Sequence, residues 1–278
     1  MRPLITIVQM TLHEASRRRV LVATLIGAAA FLILFGIGFH FVTNNVRDEA
    51  GMTFVRKRMM LNFLTLAGLY ATHFLGIMTA VLLPVDTLSG EIASGVLQTV
   101  ASKPVPRWSI VLGKWLAYCM VSAGYTLLVA SGVLLIARVM GDFTPPGVLQ
   151  GLPLMMFEAV LFVTLSIAGG TRLSTVTNGI LAFGLYGIAF IGNWVEQIGT
   201  FTDNLPARNV GAVASLIMPT ESMWGRAAYL MQPAIMRDLN MTPFSPASLP
   251  SEAMIVWAAF WGLIMLAWGV RGFSKRAL

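Results

Sequence analysis

Two side chains inside long apolar runs carry titratable chemistry. His73 stands about 12 residues into the run at 61–85, and Glu158 about 10 residues into the run at 148–170. An imidazole and a carboxylate can pair as ions or exchange a proton. At a rise of about 1.5 Å per residue, both fall near the middle of a bilayer about 30 Å thick. A carboxylate at that depth is costly and has to face a bundle interior or water. The two are therefore expected to approach one another or to line a translocation path. Satisfaction of each by a neighbouring span, for packing alone, is the other reading.

Other chemistry finds little support. No Gly-x-x-x-x-Gly-Lys-Ser/Thr phosphate loop occurs: Gly113-Lys114 lacks the upstream glycine and runs on into Trp115. Neither His-Glu-x-x-His nor Gly-x-Ser-x-Gly is present. His13, His40 and His73 are too far apart to form a local metal motif, and the lone Cys119 excludes an internal disulfide and a multi-thiolate site. Thioethers suit Cu(I), and the chain has 17 methionines. They form no tight Met-x-x-Met cluster, and methionine is a common gap-filler in apolar helices. No metal, no bound cofactor and no catalytic residue is expected.

The most ordered polar stretch is 86–107. It opens on Asp86, passes through Ser89, Gly90, Glu91, Ile92, Gly95, Leu97, Gln98 and Thr99, and closes on Lys103-Pro104-Val105-Pro106-Arg107. A plain connector between two spans needs only a few polar residues. Here two glycines allow a turn or a close approach. Glu91 offers a charge for a basic groove; Ile92, Val96 and Leu97 offer an apolar face. Pro104 and Pro106 stiffen the exit into the next run. This reads as a docking element that receives force from outside the membrane, and a capped interfacial helix is the plainer account. The tight turn at Arg172 is a second, smaller contact of the same kind, or simply a connector.

These residues need a membrane scaffold. Of 278 residues 56% are hydrophobic and 11% charged, with a mean hydropathy of +0.76. A soluble core does not absorb several apolar runs of about 20 residues, whereas a bilayer requires them. The net charge of +7 then reflects the sidedness of loops, and nucleic acid is not implied. We read an all-α polytopic membrane protein, one transmembrane domain over 1–278, with six spans at 20–43, 61–85, 109–139, 148–170, 176–195 and 252–270. The first run is too long for a signal-peptide core and is expected to remain as a span.

Residues 1–19 are amphipathic, with Leu4, Ile5, Val8, Leu12 and Ala15 on one helical face, and end in Arg17-Arg18-Arg19. They predict a helix lying in the lipid interface. The long segment 196–251 holds six prolines and two helical stretches. One is near Asn209 to Met218; the other starts at Thr220-Glu221 and runs to about Leu239. These are re-entrant or interfacial helices on the outer side. With the N-terminus inside, eleven basic residues and three acids lie on that side, while eight of each lie opposite. Both termini are therefore expected in the cytoplasm.

The block Ser89-Gly90-Glu91-Ile92-Ala93-Ser94-Gly95-Val96-Leu97-Gln98-Thr99, followed by Lys103-Pro104-Val105-Pro106-Arg107-Trp108 and Leu112-Gly113-Lys114, resembles the signature of type-2 ABC transporter permeases. The layout is similar too: an amphipathic N-terminal helix, six spans and a long outer segment before the last. The resemblance implies an exporter subunit of a bacterial cytoplasmic membrane, paired with a second copy of itself and with two separate ATPase subunits that hold ATP and Mg. The loop after the second span would carry the coupling helix. Asp86, Ser89, Gly90, Glu91, Ile92, Gly95, Leu97, Gln98, Thr99, Lys103 and Arg107 would form the contact, with Arg172 beside them. The proline-rich outer segment departs from the pattern and leaves the substrate open; it hints at a gate or an extracytoplasmic partner. An ion- or proton-coupled carrier using His73 and Glu158 is the alternative. A lipid-modifying membrane enzyme would need a polar cluster on one face, which the sequence does not offer.

Overall fold

The computed structural model describes residues 2–48, 54–95, 106–239 and 249–276. Among these there are eleven α-helices and no strands. Their order is α1 (Arg2–Arg17), α2 (Arg19–Asp48), α3 (Phe54–Leu82), α4 (Ser89–Ala93), α5 (Arg107–Gly141), α6 (Val148–Gly170), α7 (Thr175–Phe201), α8 (Leu205–Ile217), α9 (Thr220–Leu230), α10 (Ala234–Leu239) and α11 (Glu252–Ser274). Six of them, α2, α3, α5, α6, α7 and α11, are long and apolar enough to cross a membrane. The sequence opens the second span at Leu61; the helix begins at Phe54 and takes Arg56-Lys57-Arg58 into its first turns. The helix of the fifth span runs to Phe201 and that of the sixth to Ser274. Each thus continues past the apolar run, because a helix ends at a cap and not where hydropathy falls.

The fourth span, α6, is the axis of the bundle. Some 72% of its central window is buried, against 6% for the first span, α2. Leu161, Phe162, Val163, Ile167 and Ala168 of α6 are all buried, and Gly269 of α11 lies so close to Ala168 that a side chain there would meet its backbone. A helix apolar all round belongs in such a position, and one facing lipid needs no partner for its apolar surface.

We call the end of the bundle that carries both termini the terminal face. Here α1 lies across the start of α5, with Ile7 and the Leu4 carbonyl over Gly113. Thr11 and Ala15 are buried beneath it, whereas Ile5 and Met10 remain 55% and 67% exposed. At the junction with α2, Arg18 donates to the Leu83 carbonyl at 3.2 Å and to Glu14 Oε1 at 2.6 Å. The arginine therefore joins α1 to the end of α3.

At the far face the segment between the fifth and sixth spans folds inward as a hairpin. Contacts pair Gly199 with Ala207, Glu196 with Gly211, and Gly192 with Ala214. Rising numbers on α8 meet falling numbers on α7, so α8 runs back antiparallel along the second half of the span. Its 13 residues cover about 20 Å, too little to cross. Met218 and Pro219 turn the chain, and α9 climbs outward until the Leu230 carbonyl rests on Gly147, at φ 62°. The Trp257 indole of α11 donates to the Leu216 carbonyl at 3.0 Å near the tip. The sequence extends the second outer helix to about Leu239. Pro233, which has no N–H, interrupts it, and Arg237 caps the broken end through Leu230 and Gln232 carbonyls, each at 2.9 Å.

Candidate functional site

Two polar constructions stand out in the apolar bundle. The first is the foot that follows α3 on the terminal face. Helix α4 has five residues, and Gly95, at φ 75°, ends it in the left-handed conformation that glycine adopts without strain. Lys114 Nζ, two turns into α5, donates to Glu91 Oε1 at 2.5 Å; the lysine side chain is 8% exposed and the glutamate 22%. Thr175 Oγ1, at the start of α7, donates to Asp86 Oδ1 at 2.8 Å and lies 2.8 Å from Ser89 Oγ. A Cβ on Gly90 would collide with the Asp86 carboxylate, so glycine is what lets Asp86 fold back over α4. Thr87 Oγ1 donates to the Tyr118 hydroxyl at 2.7 Å. Where the loop re-enters the bundle, Arg107 Nη1 donates to the Arg276 and Ser274 carbonyls at 2.7 and 3.2 Å.

The foot is therefore strapped to the starts of α5 and α7 and, at its exit, to the end of α11. Among the described residues 86–95 of the foot, Asp86, Ala93 and Ser94 are exposed, while Leu88 and Ser89 are buried and Ile92 packs on the core. Arg172, in the turn between α6 and α7, stacks on the Trp268 ring of α11 at 4.4 Å. Arg276 donates to the Thr171 carbonyl of the same turn at 2.8 Å.

The second construction lies deep in the bundle. His73 Nδ1 of α3 is 2.8 Å from Glu158 Oε2 of α6, and His73 Nε2 is 3.4 Å from Glu221 Oε1 of α9. All three are at most 2% exposed. Tyr70 stacks on the imidazole at 5.5 Å between ring centres, and Trp224 flanks it at 5.1 Å. Glu158 Oε1 and both Glu221 oxygens have no hydrogen-bond partner. Among the described residues no group of three or more His, Cys, Asp or Glu could hold a metal ion.

The sequence matches, over residues 17–278, the family described as ABC-2 family transporter protein. The chain belongs to this family. No curated protein matches it. An ABC-2 permease is a translocation subunit, and permeases of this family work with ABC ATPase partners; the six apolar helices make this one a multi-pass membrane protein.

In this ABC-2 permease the structure brings Asp86, Ser89, Gly90, Glu91, Ile92 and Gly95 together in one foot, with Arg107 at its exit and Arg172 on the neighbouring turn. Leu97, Gln98, Thr99 and Lys103 lie outside the described residues. Glu91, read from the sequence as a charge offered outward, is held within the permease by Lys114. Lys114 is buried in that pair. His73 and Glu158 do meet, 85 positions apart in sequence, and their site is closed off by Tyr70 and Trp224. Sequence reasoning missed Glu221, which it counts among the outer acids. The available signal was Thr220-Glu221 directly after Pro219, an acid in the first turn of a helix that follows a short apolar one.

Proposed function

We propose that this permease couples ATP hydrolysis in two separate ABC ATPase subunits to export of a substrate across a bacterial cytoplasmic membrane. It does so as a pair of identical copies, with ATP and Mg held by the ATPases and both termini in the cytoplasm. The basic surplus on the terminal face supports this orientation. The single observation that carries the coupling is the strapping of the foot. A displacement of α4 is delivered to α5 through Glu91 and Lys114, and to α7 through Asp86, Ser89 and Thr175. Closure of the ATPases pushes the foot, the spans rock, and a path opens between the two copies. The exposed Ala93 and Ser94 are the positions that meet the ATPase, since Glu91 is held by Lys114 and Asp86 is engaged by Thr175. His73 and Glu158 stand behind the path and tie the second and fourth spans to the hairpin.

A photo-crosslinking residue at Ala93 in the assembled transporter tests this. The expected product is a covalent adduct with an ABC ATPase subunit, identified by mass spectrometry, and none from the far-face position Leu149, which is 89% exposed. An intact, ATP-hydrolysing assembly with no adduct at Ala93 or Ser94 would sink the proposal. So would an Ala93→Cys variant labelled by an impermeant thiol reagent from outside the cell.

A further inference from the structure

A cavity of about 350 Å³ lies at the far face between α7, α8, α9 and the start of α11. Its lining holds the polar Asn193, Glu196, Ser215, Glu221 and Ser222 and the apolar Leu216, Leu249 and Met254. Leu249, 49% exposed, sits at the rim. Glu221 belongs both to this cavity and to the buried cluster, and it is 2% exposed. One of its oxygens lies 3.4 Å from His73; the other has no partner.

The hydrogen bonding of this cluster is incomplete. It sets two carboxyl groups against one imidazole, and Glu221 Oε2 is left without a donor. Glu221 lies in the first turn of α9, and the free N–H groups there supply about half a positive charge. The guanidinium on the same helix is committed: Arg226 donates to the Pro250 carbonyl at 2.7 Å and to Glu252 Oε1 at 2.9 Å. A buried carboxylate oxygen with no partner is costly. A cationic donor entering the cavity would supply the missing hydrogen bond.

The size and lining select among cations. The cavity is far larger than an inorganic ion, and it falls in the range of small-molecule pockets, which are apolar with a few placed polar groups. Hydroxyls and an amide beside a carboxylate accept hydrogen bonds, which suits the three donors of a primary ammonium. Among the described residues no aromatic ring lines the cavity, whereas a quaternary ammonium calls for a π face. We propose that the far-face cavity binds a primary ammonium compound with a small apolar body, its nitrogen held by Glu221. The inference does not rest on the ATPase partnership.

Binding of 4-fluorophenethylamine to the full-length permease in nanodiscs, followed by fluorine NMR, tests it, with 2-(4-fluorophenyl)ethanol as the uncharged control. The amine is expected to bind saturably and the alcohol at least tenfold more weakly. Glu221→Gln should weaken the amine at least tenfold. Ser215→Phe fills the cavity from its wall without touching the cluster, and should do the same in a protein of wild-type thermal stability. Nanodiscs of phosphatidylcholine alone, compared with others containing phosphatidylethanolamine, separate the sources. Weaker amine binding in the ethanolamine lipid marks a lipid headgroup as competitor, and equal binding marks a free amine as the ligand. No saturable binding, equal binding of amine and alcohol, or unchanged affinity in a folded Glu221→Gln or Ser215→Phe protein would each overturn the proposal.

Discussion

The pair of Glu91 and Lys114 makes an unequal prediction for its two halves. Exposed ion pairs contribute at most about 1 kcal/mol, whereas removing one partner of a buried pair costs about 3–5 kcal/mol. The lysine side chain is 8% exposed and the glutamate 22%, so the pair lies between these limits. Glu91→Gln strands a buried ammonium and should cost about 2–3 kcal/mol. Lys114→Met leaves a carboxylate that can turn to water, and should cost about 1 kcal/mol. In the double variant no charge is stranded, so its cost should fall below that of Glu91→Gln alone, with a coupling energy of about 2 kcal/mol. Unfolding in mixed micelles, followed by helicity, gives all four stabilities. If the two single costs add in the double variant to within about 0.5 kcal/mol, the pair is not the strap described here. Transport supplies a second criterion: the stable double variant should lose coupled export several-fold. Full export from it would show that force enters α5 by another route.

Three further outcomes follow from the packing. Gly90→Ala drives a methyl into the Asp86 carboxylate and should release Thr175, lowering ATP-coupled export while leaving unfolding within about 1–2 kcal/mol of the parent; Gly90→Ala with unchanged coupling would discount the Asp86 contact. Gly192→Leu places a side chain where Ala214 sits and should prise α8 from α7, speeding trypsin cleavage at Arg208, measured by gel and mass spectrometry. Glu158→Leu should cost about 3–5 kcal/mol, because it removes the carboxyl group 2.8 Å from the buried His73 Nδ1, and Glu158→Gln, which keeps an acceptor at that place, should recover part of it in the same micelle titration.

Six spans were legible from hydropathy because a bilayer imposes a length on apolar runs that nothing else in a sequence imitates. The foot was legible as a polar island, since Gly90, Gly95 and the prolines bound a helix too short to be a span. Its inward commitments were not. Glu91 and Lys114 are 23 positions apart, and whether an acid at a helix surface looks out or in depends on where the next span stands. The deep cluster was half legible: His73 and Glu158 announce themselves inside apolar runs, where any charge is costly. Glu221 does not, because α8, at 13 residues, is short enough to be read as lying on the membrane. Only the close approaches of Gly192, Gly199 and Gly211 to their neighbours show that it runs back along α7.

The hairpin also sets an order for biogenesis. Taken alone at the translocon, Leu205–Leu230 would have to carry Glu221 into hydrocarbon with no imidazole to receive it, so it cannot settle when it is made. It can dock only after α3 and α6 are already side by side with His73 turned between them. Docking of this segment then follows the pairing of the second and fourth spans: a nascent chain in which they have not met leaves Glu221 without its imidazole.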